Sequence, residues 1–215
     1  TGRIYIMNVD HCNTHSSFKD KVYMSNLCQE ITLPTKPLEH IDDEEGEIAL
    51  CILSAINVGT IRSLDDLEDL CELAVRALEE IIDYQKYPIK AAEISTKARR
   101  SLGVGYIGLA HYLAKQKVKY DDKEAWKLVH DLSEAFQYYL LRASNKLAQE
   151  RGACEYFNRT KYSDGILPID TYKKDVDTIV ENKLNYDWDS LRSDIKEHGL
   201  RHSTLSAQMP SESSS

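Results

Sequence analysis

Along the first quarter of the chain apolar residues fall in short blocks or alternate with polar ones, and beyond it they recur at helical spacing. From Thr1 to Gly59 the blocks are β-like. "RIYIM" is followed by a polar loop, "NVDHCNTHSSFKDKVYM", then "SNLCQEITLP", then a proline- and acid-rich connection through Gly46 and the block "EIALCILSAINVG". The last is a near-continuous apolar run of strand length, the pattern of a strand buried on both faces. After Ser63 the period changes. Leu64, Leu67, Leu70, Cys71, Ala74, Leu78, Ile81 and Ile82 share one helical face, while Asp65, Asp66, Glu68 and Asp69 load the first turns and Ser63 stands at the cap position. A second helix is predicted from Ile89 to Lys117 and a third from Lys123 to Glu150, stopped by Gly152. A looser stretch precedes a helix over Trp188–His198, stopped by Gly199, and "LRHSTLSAQ" reads as a closing strand. Strands at both ends with helices between predict an α/β arrangement to which this chain supplies only a few strands.

Composition narrows the function classes. The chain has 215 residues, 42% of them hydrophobic and 29% charged, which suits a globular protein with a buried core. Its net charge of −8 argues against direct nucleic-acid binding, which needs a basic face, although a local phosphate site stays compatible with it. No apolar run is long enough to cross a bilayer and no secretory leader is visible, so no membrane association and a cytoplasmic location are expected. Five cysteines, Cys12, Cys28, Cys51, Cys71 and Cys154, are scattered without CxxC spacing, the usage of a reducing compartment. A start at Thr1 without methionine and an end at "PSESSS" suggest a piece of something longer.

Several motifs invite chemistry. "GVGYIG", Gly103–Gly108, matches G-x-G-x-x-G, but helix-like "AAEISTKARRSL" precedes it where a dinucleotide fingerprint needs a strand, so the glycines are expected to allow close packing in or beside a helix. "NRT" at Asn158 reads as a plain loop, since nothing indicates secretion. Cys12, His15 and Cys28, with His11, offer zinc-type ligands, but their spacing is irregular and no metal site is expected. In "MSNLCQEITLP", Asn26, Cys28 and Glu30 occupy alternate positions, so an extended segment would point amide, thiol and carboxylate to one side while Leu27 and Ile31 anchor the other. The plainer alternative is a surface Glu30 and a Cys28 that fills space. Cys51, inside an apolar block, is either a small buried hydrophobe or a second thiol laid beside that trio, a pairing suited to redox or radical chemistry rather than hydrolysis. The terminal "MPSESSS" is either an anion-binding serine turn or a polar tail.

Taken in order, "SNLCQEITLPTKP", "GEIALCILSAINVG", "ARRSLGVGYIGLAHYLAK", "GILPIDTYKKDVDTI" and "HGLRHSTLSAQMPSESSS" resemble the large subunit of class I ribonucleoside-diphosphate reductases of enteric bacteria and their phages, over essentially the whole chain. The resemblance implies a fragment of a ten-stranded α/β barrel with a central finger loop, helix-rich between the strands. Residues 1–215 would be part of the catalytic barrel domain, with 1–59 as finger loop and strands, 60–199 mainly helical, and 200–215 as strand and phosphate loop. It implies reduction of ribonucleoside diphosphates to 2′-deoxyribonucleoside diphosphates by thiyl-radical chemistry. Cys28 would carry the radical that removes the 3′ hydrogen, Glu30 would be the base on the 3′ hydroxyl, Asn26 would orient the ribose hydroxyls, and Cys51 would be one of two redox cysteines. Ser25 would join Asn26, Cys28 and Glu30 in contacting substrate, and Pro210, Ser211, Glu212, Ser213 and Ser214 would hold its diphosphate, with Ser213 where Thr is expected. The partners implied are the ribonucleoside diphosphate substrate, a metal-containing small subunit that generates the radical, thioredoxin or glutaredoxin as reductant, and a second large subunit in a homodimer. No cofactor is expected on this chain. ATP, dATP and other nucleotide effectors would bind regions it lacks, as it lacks the second redox cysteine, so it is expected to be inactive alone. Cys12, Cys71 and Cys154 are read as structural. The alternative is a non-catalytic barrel fragment acting as an interaction or regulatory module.

Overall fold

The computed structural model describes residues 2, 4–180 and 183–211. Its centre is a parallel pair of strands, β1 (Ile52–Asn57) and β2 (Leu102–Ile107), in register from Ile52 opposite Leu102 to Asn57 opposite Ile107. A third extended segment runs parallel on the far side of β2. Val104 bridges Ser206, Leu102 N–H donates to Thr204 O at 3.1 Å, and Ala207 N–H donates to Val104 O at 3.1 Å. Parallel neighbours need long crossovers, and the helices supply them. A short α1 (Val9–His15) precedes the sheet. Between β1 and β2 come α2 (Asp66–Tyr84) and α3 (Lys90–Arg99), and between β2 and the third segment come α4 (Leu109–Lys115), α5 (Lys123–Arg151), the single turn α6 (Pro168–Thr171) and α7 (Trp188–His198). Among the described residues no helix is long and apolar enough to cross a membrane.

The helices cover one face of the sheet. Ile52 and Ile56 of β1 and Leu102, Val104 and Tyr106 of β2 pack with Leu67, Val75, Leu78 and Ile82 of α2 and Leu132, Leu140 and Leu147 of α5. These are the apolar positions of the helical pattern. Truncating one of the fully buried leucines to alanine costs about 2–5 kcal/mol. Along the solvent seam α2 and α5 are joined by Glu72–Lys146, Arg76–Glu150, Glu68–Arg142 and Glu80–Arg151 at 2.6–2.8 Å. Exposed pairs of this kind add little each, so the leucines carry the packing.

Four expectations change. Ser63 does not cap α2 through its side chain: the Asp66 carboxylate reaches back instead, accepting from Arg62 N–H at 2.8 Å. The helix expected over Ile89–Lys117 is three elements, α3, β2 and α4. The chain leaves α3 at Arg100, which takes a left-handed conformation, φ 48°, as Arg99 and Arg100 turn into buried carboxylates. "GVGYIG" therefore runs along β2 to Ile107 and ends at Gly108, the N-cap of α4, so it lies beside a helix and not in one, and its role is close approach. A methyl group on Gly105 would sit 2.4 Å from Ala207 O and 2.6 Å from Gln208 Oε1, which rules out a side chain where the third segment crosses. β1 is shorter than its apolar block, and Leu53 and Asn57 stay exposed, because β2 pairs only one edge and helices cover only one face. "RIYIM" finds no ladder partner among the described residues, and Ile4, Tyr5 and Ile6 are exposed.

Candidate functional site

The face of the sheet turned away from the helices carries the motif residues. Strand alternation sends Leu53 and Gly103 to this face, and Cys51, two residues before Leu53, joins them. A methyl group on Gly103 would meet Leu53 Cδ2 at 2.5 Å, Cys51 Sγ at 3.0 Å and Ala207 Cβ at 3.2 Å, so the thiol lies directly over the bare glycine. A second, small apolar cluster forms here from Phe18, Val22 and Leu33, with Met7, Ile31, Ala49 and Cys51 packed against it. This cluster is the base of a loop. Phe18 bridges Thr160, Lys19 N–H donates to Arg159 O at 3.0 Å, and Lys161 N–H donates to Ser17 O at 2.7 Å. Asn13 holds Val22 through both backbone groups at 2.8 Å.

From this base the chain projects outward, exposing Tyr23, Met24 and Leu27, the last by 76%. The extended trio expected over Asn26–Glu30 is instead a tight turn. Gln29 N–H donates to Asn26 O at 3.2 Å, and Gln29 is left-handed at φ 65°. Asn26 closes the loop twice: its N–H donates to Ile31 O at 3.1 Å, and its side-chain Oδ1 accepts from Ile31 N–H at 3.1 Å. Ser25 Oγ donates to Asn26 O at 3.0 Å. Strand alternation fails because the backbone reverses between Asn26 and Gln29. Cys28 is consequently exposed at the tip, and Glu30 turns back toward the base.

Cys51 packs into this base, and the Glu30 carboxylate lies near enough for its charge to act on the thiol. Burial pushes the Cys51 thiol up to about 12, and the negative charge of Glu30 adds to the shift. Cys51 thus keeps its proton at neutral pH. Glu30 Oε2 is buried and has no hydrogen-bond partner among the described residues, so this oxygen keeps its accepting capacity unused. The loop base thus holds a protonated thiol and a carboxylate oxygen with spare accepting capacity, groups of the kind that take part in hydrogen and proton transfer.

The C-terminal residues approach by the third segment. Past Ala207 the backbone ladder stops, and Gln208 Oε1 accepts from Tyr106 N–H at 3.0 Å in place of a main-chain rung. Pro210 is exposed, and Ser211 Oγ donates to Met209 O at 3.3 Å. Glu212, Ser213 and Ser214 lie outside the described residues.

Sequence reasoning missed the charged residues that flank the loop. Asp20 and Glu47 contact Arg99 and Arg159 in one ring of ion pairs, yet in the sequence all four sit among ordinary charged stretches. The closest grouping of metal-type ligands is also elsewhere, His130, Asp131 and Glu134, within 4.8 Å of one another. Glu134 is a poor ligand: its oxygens accept from Asn185 N–H, Asn185 Nδ2, Tyr186 N–H and Trp188 Nε1 at 2.8–3.2 Å. A cavity of about 1030 Å³ lies along α5 and is lined by Trp126, Val129, Tyr172, Ile179, Leu184 and Trp188 among others. None of Ser25, Asn26, Cys28, Glu30, Cys51, Pro210 and Ser211 borders it, so size does not mark the site.

A family model described as "Ribonucleotide reductase, barrel domain" matches residues 1–215. The ribonucleoside-diphosphate reductase subunit alpha of Haemophilus influenzae is 63% identical over 218 residues, which cover 100% of this chain and 29% of that protein. Ribonucleoside-diphosphate reductase 1 subunit alpha of Escherichia coli K12 is 62% identical with the same coverage. The subunit alpha of Enterobacteria phage T4 is 44% identical over 220 residues, 100% of this chain and 28% of that protein. The chain therefore spans less than a third of the length of these curated relatives.

Proposed function

The chain belongs to the ribonucleotide reductase barrel-domain family, and on that premise we propose that it carries the radical cysteine and part of the substrate site of a ribonucleoside-diphosphate reductase large subunit. The whole enzyme would convert ribonucleoside diphosphates to 2′-deoxyribonucleoside diphosphates, supplying DNA precursors. On this reading β1, β2 and the third segment are an arc of a ten-stranded barrel, their helix-free face is its interior, and residues 18–33 are the finger loop.

The residues then divide the work. Cys28, exposed at the turn, removes the 3′ hydrogen as a thiyl radical; the oxidising equivalent comes from the metal-containing small subunit. Glu30 takes the 3′-hydroxyl proton through its uncommitted Oε2. The 2′ hydroxyl leaves as water. Cys51 and a second cysteine outside this chain supply two electrons and two protons and become a disulfide, and Cys28 returns the 3′ hydrogen. Thioredoxin or glutaredoxin would reduce that disulfide. Asn26 orients the ribose by donating from Nδ2, while its Oδ1 accepts from Ile31 N–H. The segment from Pro210 to Ser214 holds the diphosphate, and a second large subunit completes a homodimer.

The observation that carries this reading is that one loop exposes Cys28 at its tip, turns Glu30 back with a buried and uncommitted Oε2, and packs its base against Cys51. Its test is cytidine diphosphate reduction by the full-length subunit with small subunit and dithiol. Cys28→Ser is expected to abolish turnover, and substantial residual activity would sink the radical role.

A further inference from the structure

Asp20 and Glu47 stand eight and four residues before Cys28 and Cys51, one on each segment of the proposed site. Two arginines from the surrounding scaffold, Arg99 at the end of α3 and Arg159 in the turn after α5, each touch both acids. Arg99 Nη2 lies 3.0 Å from Asp20 Oδ2 and 2.7 Å from Glu47 Oε2. Arg159 Nε lies 2.7 Å from Asp20 Oδ2, and its Nη2 lies 3.2 Å from Glu47 Oε1. The four side chains form a closed ring of two positive and two negative charges. Glu47 and Arg99 are buried, and the Tyr156 ring lies against both guanidinium groups, 4.2 Å from Arg159 and 5.1 Å from Arg99.

We infer that this ring is a positioning device, fixing the loop that bears Cys28 and Glu30 against the strand entry that bears Cys51. The inference rests on the proposed function and adds four residues to it. Neither acid can move independently, because a shift of Asp20 or Glu47 breaks bonds to both arginines. A planar guanidinium reaches two carboxylates at once and a lysine ammonium does not do so with the same geometry, so the ring requires arginine rather than positive charge alone. Near-attack geometry is sensitive to displacements of about 1 Å, on the order of 100-fold in rate, so loosening the ring should act on the chemical step. Binding should change less, since the ring touches no proposed substrate contact.

The test uses the full-length subunit with small subunit, dithiol and cytidine diphosphate. Arg159→Lys keeps the charge at a half-exposed position and is expected to lower kcat by roughly 10-fold or more with KM within about twofold. Thermal unfolding of the same samples separates positioning from loss of folded protein. Unchanged kcat, or a fall matched by the loss of folded protein, overturns the inference. Should Arg159→Lys fail to fold, Asp20→Asn replaces it with the same two outcomes. A Cys28→Ser control keeps the two ideas apart: if it abolishes turnover while Arg159→Lys is silent, only the positioning role fails, and if it turns over, the proposed function itself has failed.

Discussion

One lone pair of the Asn26 side-chain carbonyl is committed to the Ile31 amide, while the two protons on Nδ2 can be donated to a ligand. This division makes the two roles of one amide separable. Asn26→Asp keeps an acceptor for Ile31 and removes the donor, whereas Asn26→Ala removes both. In the full-length enzyme Asn26→Asp is expected to reduce cytidine diphosphate turnover roughly 10-fold, the worth of about one hydrogen bond, with hydrogen exchange of the Ile31 amide unchanged. Asn26→Ala should lower turnover at least as far and speed that exchange. Full activity in Asn26→Asp would show that Nδ2 meets no substrate. Cys51 shows the same dependence on surroundings. In the sequence Cys51 reads most simply as a small buried hydrophobe, with a second thiol beside the trio as the sharper alternative, and that alternative depends on a spatial fact, a turn that brings Glu30 near enough for its charge to act on the thiol.

Elements were legible where one pattern ruled and obscure where two competed. α2, α5 and α7 follow the periods of their leucines and isoleucines to within a few residues of the expected ends, because amphipathic burial dominates over such lengths. β2 was hidden. Its glycines have low strand propensity, and their reason for being there is a neighbour found only in three dimensions, the third segment pressing against them. The turn at Asn26–Gln29 was hidden for the opposite reason: its alternation satisfies a strand pattern, while an asparagine that bonds locally and a left-handed Gln29 decide the backbone. Gly105 offers the check at this scale. Gly105→Ala pushes a methyl group against Ala207 O, which belongs to backbone and cannot swing aside, so a loss of about 1–3 kcal/mol is expected. Faster hydrogen exchange at Ala207 in the full-length protein would record the displaced segment, and an unchanged rate would mean that the crossing tolerates a methyl group.

Across the whole molecule, the sheet, α2 and the C-terminal segment are tied at one buried carboxylate. Glu79 of α2 is fully buried and accepts from Arg100 Nε at 2.8 Å, from Arg201 Nε at 2.7 Å and from His202 Nε2 at 3.0 Å. Because Nε2 must carry the proton to reach a carboxylate, Nδ1 is the acceptor for the Ser144 hydroxyl at 2.9 Å, which is the neutral tautomer. Burial works against ionising Glu79, but bonds from His202, Arg100 and Arg201 outweigh it and hold the carboxyl below its usual range. Burial likewise draws His202 below the usual imidazole value, and the bond to Glu79 offsets this only in part. Both shifts act in one direction. The unfolded chain binds protons on His202 below about pH 6.5 and on Glu79 below about pH 4.5, before the folded protein does, so stability is present above those values and is lost as pH falls. Glu79→Gln leaves Arg201 and His202 facing no anion and should destabilise this junction by about 3–5 kcal/mol at pH 7, the cost of breaking a buried ion pair. Hydrogen exchange of α2 amides near Glu79 in the full-length protein reads this difference locally. The gap between the parent and Glu79→Gln should narrow as pH drops below about 4.5, where the unfolded parent chain takes up a proton on Glu79 that the folded protein does not. A gap that stays constant down to acid pH, or exchange unaltered at pH 7, would mean that α2 is held by its leucines alone and that Glu79 is dispensable to the junction.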